Sequence, residues 1–100
     1  MLKISIVENR SRIRLVLEGK LVAPWVGELR PACEKAKSGL GDRELVVEVK
    51  DLTAINQAGE NVLLELMKEG VKFRGSGVFT KHMLKQLARR VDRHHEEIRR

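Results

Sequence analysis

One hundred residues suffice for one domain with a single core and no more. With 42% hydrophobic and 34% charged residues the composition is that of neither a membrane-embedded nor a disordered chain. No apolar run approaches the ~20 residues that span a bilayer. The net charge of +6 is uneven: residues 81–100 hold seven Lys/Arg against three Asp/Glu, hence +4 of the total.

Leu2, Ile4 and Ile6 alternate with Lys3, Ser5 and Val7, which predicts a strand rather than a cleaved leader. The polar Glu8–Ser11 follows, then Ile13, Leu15 and Leu17 alternate with Arg12, Arg14 and Val16. Two alternating runs across a short polar link predict a β-hairpin, with Gly19 ending the second strand. Trp25, Leu29, Ala32, Cys33 and Ala36 share one helical face, and Gly39-Leu40 reads as the stop. Pro24 suits a helix start, but Pro31 means either a kink or a regular helix that begins near Glu28. The lone Cys33 has no disulfide partner in the chain, in keeping with a reducing compartment, so a cytoplasmic location is expected.

Leu45–Val49 is nearly all apolar and β-branched, which predicts a central strand covered on both faces. Lys50–Ile55 leads out of it. Asn56 is a good N-cap for a helix whose apolar positions are Gly59, Val62, Leu63, Leu66 and Met67, with Gly70 as the stop. Val71–Arg74 predicts a fourth strand and Gly75–Gly77 a loop. Thr80 is expected to cap a last helix with the stripe Met83, Leu84, Leu87, Ala88 and Val91. The expected fold class is α/β: a four-stranded mixed sheet with helices packed on it, in the order ββαβαβα. The domain is placed at 1–92, with 93–100 a charged tail that frays.

The segment Leu45–Gly70 carries a resemblance. An apolar strand, Lys50-Asp51-Leu52-Thr53, Ala54-Ile55 and Asn56-Gln57-Ala58-Gly59 lead into an amphipathic helix. This resembles the signature of the STAS family, the fold of bacterial anti-sigma factor antagonists, in which an Asp-Leu-Ser-like step precedes an Asp-Ser-Ser-Gly-like helix start. Leu17-Glu18-Gly19-Lys20-Leu21 also resembles that family's step into its first helix, and the element order agrees over about residues 1–90. The resemblance implies a non-catalytic module that binds a regulatory protein, an anti-sigma factor or a kinase-like partner. It further implies that the serine a partner kinase phosphorylates is replaced here by Ala58, with Asn56 and Gln57 standing for the Asp and the first Ser. The expected docking surface is therefore Thr53, Asn56, Gln57, Ala58, Gly59 and Glu60. Many family members continue beyond the last helix, where no further strand is found in this chain.

Other readings are weaker. Lys81, Lys85, Arg89, Arg90 and Arg93 form a basic patch that offers an alternative, binding of nucleic acid or an anionic surface. Three aromatic residues, no Tyr, and the interrupting Glu96-Glu97 argue against nucleic acid. Homotypic assembly through the last helix or a sheet edge is a variant of the first reading. Thr53 and Ser76 are hydroxyls that a kinase would find, although loop hydroxyls mostly serve turns. His94 and His95 are adjacent and so do not share a helix face, and His82 lies well upstream, so no metal is expected. No nucleophile motif is present, Gly75-Ser76-Gly77 lacks the Lys of a phosphate loop, and neither an enzyme nor a cofactor is expected.

Overall fold

The computed structural model describes residues 1–98, and the side chains of residues 1–91. Strands β1 (Leu2–Glu8) and β2 (Arg12–Leu21) are followed by a short 3-10 helix (Trp25–Glu28) and α1 (Leu29–Ser38). Then come β3 (Glu44–Ile55), α2 (Gln57–Lys68), β4 (Lys72–Gly75) and α3 (Val78–Ile98). The sheet order is β1-β2-β3-β4, with β1 antiparallel to β2 and the other two pairs parallel. This is the mixed four-stranded sheet and the ββαβαβα order expected from the sequence. The boundary placed between residues 92 and 93 falls inside α3, whose backbone is described to Ile98, while no side chain is described beyond Val91.

The hairpin closes because Asn9 Oδ1 accepts from the N–H groups of Ser11 and Arg12, both at 2.9 Å. The parallel pairs need crossover helices, and right-handed crossovers that step the same way across a sheet leave their helices on one face. The core follows. Leu29 and Cys33 of α1, Leu63 and Leu66 of α2, and Leu84 and Leu87 of α3 join one cluster with Ile13, Leu15, Leu17, Leu45, Val47 and Val49. A buried Leu contributes about 1.5–3 kcal/mol relative to an exposed one, so this one-sided layer dominates stability.

Coverage of β3 on both faces is corrected by the structure. Its second face carries no helix and is tiled by charges: Arg14 pairs with Glu48 at 3.0 Å, Arg12 with Glu44 at 3.8 Å, and Lys72 with Glu44. Val46 lies on that face, outside the core cluster, yet is only 2% exposed. Its cross-strand neighbours are Arg14 and Lys72, whose aliphatic stems shield it while their charges stay in water.

Four further boundaries differ from expectation. Gly19 does not end β2; it sits inside the strand at φ 106°, at a break in the β2–β3 register, and the strand runs on to Leu21. A side chain there would collide with the carbonyl of Met1. Lys50–Ile55 is strand, because β2 beyond the bulge still offers Gly19, Lys20 and Leu21 as partners. Gly75 belongs to β4 rather than to a loop. Thr80 is no cap: α3 starts two residues earlier, Thr80 is 3% exposed, and its methyl packs where Gly75 leaves room. Within the expected stripe of α3, Ala88 is exposed, whereas Leu84, Leu87 and Val91 are buried.

Pro31 is resolved in favour of the later start. It is the third residue of α1, where a backbone N–H has no intrahelical acceptor, so the missing donor costs nothing. Arg30 then ties α1 to α2 through Glu65 and Glu69, both at 2.8 Å, and Lys37 reaches Glu69 at 2.7 Å. No helix among the described residues is long and apolar enough to cross a membrane.

Candidate functional site

The start of α2 is built by the ends of two strands. Asn56 leaves β3 with extended backbone, and its side-chain oxygen accepts from the Gly59 N–H at 3.0 Å, the expected N-cap. The Asn56 N–H reaches back to the Leu21 carbonyl at 3.4 Å, and its own carbonyl accepts from Glu60 at 3.0 Å. Gly59 is buried against β2: a Cβ there would strike the Leu21 carbonyl and approach Ile55 Cγ1 at 2.9 Å. Glycine is required by close approach, and the turn is held rigidly against the sheet.

On this fixed turn the other expected site residues face outward. Thr53, Gln57 and Ala58 are exposed. Thr53 Oγ1 donates to the Gly19 carbonyl at 3.2 Å, and Gln57 Nε2 donates to Asn61 Oδ1 at 3.0 Å. Ala58 has a bare methyl beside N–H groups that the helix leaves without intrahelical acceptors. Ser76, the other hydroxyl considered, donates to the Lys50 carbonyl at 3.1 Å.

The structure brings the turn and part of the basic patch together. Arg90 of α3 donates to Glu60 Oε1 at 3.2 Å, so its charge is shared with α2. Lys81, Lys85 and Arg89 are exposed on α3 and have no carboxylate partner among the described residues. The side chain of Arg93, like those of His94 and His95, lies outside the described residues. His82 is exposed, with a ring nitrogen 3.0 Å from Gln86 Nε2. Among the described residues no group of three His, Cys, Asp or Glu is placed to hold a metal.

Between the two elements lies a cleft of about 200 Å³ lined by Ile55, Glu60, Phe79, His82, Met83 and Gln86. Phe79 is 56% exposed and Val78 88% exposed. Sequence reasoning missed both, although an apolar pair directly after Gly75-Ser76-Gly77 and outside the core stripe was a visible signal. The whole surface sits at the carboxyl ends of the parallel strands, where open α/β sheets present their binding regions. The one thiol, Cys33, is buried away from it, and burial pushes its pKa up, which keeps it protonated and inert.

A comparison with protein-family models finds no match to this chain, and neither does one with curated proteins.

Proposed function

We propose that the chain is a non-catalytic, STAS-type protein-interaction module of bacterial regulation, working in the cytoplasm and docking a regulatory protein through Thr53, Asn56, Gln57, Ala58, Gly59 and Glu60. The observation that carries the reading is the position of Ala58. Its methyl is exposed in the first turn of α2, on a backbone fixed by Asn56 and Gly59. A hydroxyl there would be open to a kinase, and a phosphate would place about −1.5 to −2 charges in the middle of the turn. Alanine fixes the uncharged state, so the module binds its partner without a phosphorylation switch. No reaction is assigned to it.

The test is affinity capture from lysate of the native organism, wild type beside Ala58→Glu, read by mass spectrometry. A regulatory protein retained by the wild type and lost with Ala58→Glu is expected. A catch that Ala58→Glu leaves unchanged would remove the turn from the interface and the proposal with it.

A further inference from the structure

Positive charge is concentrated between Gly70 and Val91. Residues 70–91 contain six Lys/Arg and not one Asp or Glu. Two of the six are neutralised from other elements, Lys72 by Glu44 and Arg90 by Glu60. Lys81, Lys85 and Arg89 recur every four residues, about 6 Å apart along the helix axis. They form an exposed cationic stripe on α3 with no carboxylate partner among the described residues.

Apolar surface adjoins this stripe. Val78 falls on the outward side of α3 with Lys85 and Arg89, on helical spacing, and is almost wholly exposed. Phe79 falls on the flank toward α2 and forms a wall of the cleft floored by Ile55 and Met83. Val78 and Phe79 are adjacent and border an apolar cleft rather than lying scattered, and interface cores are enriched in Phe and Met and rimmed by charge.

We propose that this face of α3 is the docking site of an acidic amphipathic protein segment. The segment sets an apolar side chain into the Phe79 cleft and lays carboxylates along Lys81, Lys85 and Arg89. The inference extends the docking reading above and rests on it for the α2 wall of the cleft. Charge complementarity selects an anion. The aliphatic Val78 and the single aromatic ring select a protein over single-stranded nucleic acid, which binds on successive stacking platforms.

The test is a nuclear magnetic resonance titration of the ¹⁵N-labelled chain. The probe is a synthetic amphipathic helix with leucine on one face and glutamate on the other; a copy with glutamine in place of glutamate and a poly(dT) oligonucleotide are the comparisons. Shifts centred on Phe79, His82 and Lys85, weakening as salt rises, are expected with the acidic peptide. K85E combined with R89E should weaken binding at least about tenfold, the equivalent of ~1.4 kcal/mol. Phe79→Ala should weaken it as well, and thermal unfolding should confirm that each variant is folded. Equal binding of the glutamine peptide, shifts on another face, no binding at low salt, or stronger binding of poly(dT) at the same ionic strength would each overturn the inference. Ala58→Glu separates the two proposals. If it leaves peptide binding intact while K85E/R89E abolishes it, the α3 site stands, and the α2 turn is decided separately by the capture of the regulatory protein. The reverse pattern retires the α3 site alone.

Discussion

Arg90 on α3 and Glu60 on the first turn of α2 meet at 3.2 Å, which makes a residue of the basic patch a brace for the turn. Both side chains remain partly in water, so the pair aligns the two helices more than it stabilises the fold. Glu60→Gln should change the unfolding free energy by less than about 1 kcal/mol in urea titration. It should also release Arg90, so that backbone amides of the cleft shift in nuclear magnetic resonance spectra even though stability barely moves.

Gly59→Ala tests the close approach of α2 to β2. The added methyl meets the Leu21 carbonyl, which is backbone and cannot swing aside. A loss of about 1–3 kcal/mol is expected by chemical denaturation. Gly39→Ala is the control, since a Cβ at Gly39 meets nothing within 4 Å and its φ is negative.

Acid should loosen the contact between α1 and α2. Hydrogen bonds from Lys37 and then Arg30 hold the Glu69 carboxyl below its ordinary value of 4.5. A depressed folded value stabilises above the unfolded one, and that contribution is lost as pH falls through the folded value. Lys37 has the opposite sense: its hydrogen bond to Glu69 raises it above 10.5, so its contribution holds below that value and fades only at higher alkaline pH. Urea midpoints measured across the acid range should fall less steeply below pH 4.5 in Glu69→Gln than in the wild type.

Cys33 should report on opening of the fold. It is fully buried, and burial raises its thiol pKa. Iodoacetamide should label the native protein far more slowly than the urea-unfolded chain at the same pH. Comparable rates would mean that α1 detaches readily from the sheet.

Much of the fold was legible because alternation and helical spacing report directly on one buried face. Leu15 and Leu17, Leu63 and Leu66, and Leu84 and Leu87 are core residues on that basis. What escaped depended on partners distant in sequence. Val46 looked like a second covered face because its shield comes from side chains on β2 and β4. Gly19 looked like a strand end because a bulge is defined by register, which a single strand does not reveal. In the candidate site, Asn56 as cap and the place of Gly59 on the inward face of α2 were both readable locally. The Arg90–Glu60 brace and the Phe79 cleft were not, since they exist only once α3 lies across the start of α2.

The spatial order of the strands is also their order along the chain. No strand has to be inserted between two that are already paired. A polypeptide leaving the ribosome can close its hairpin first and then add each new strand to the edge made last, with its helix laid down in passing. α3, which carries Phe79 and the cations beside it, follows β4 in the chain. Until α3 reaches the sheet, Leu84 and Leu87 are missing from the cluster that holds Leu63 and Leu66, so that part of the core closes only when this helix packs down.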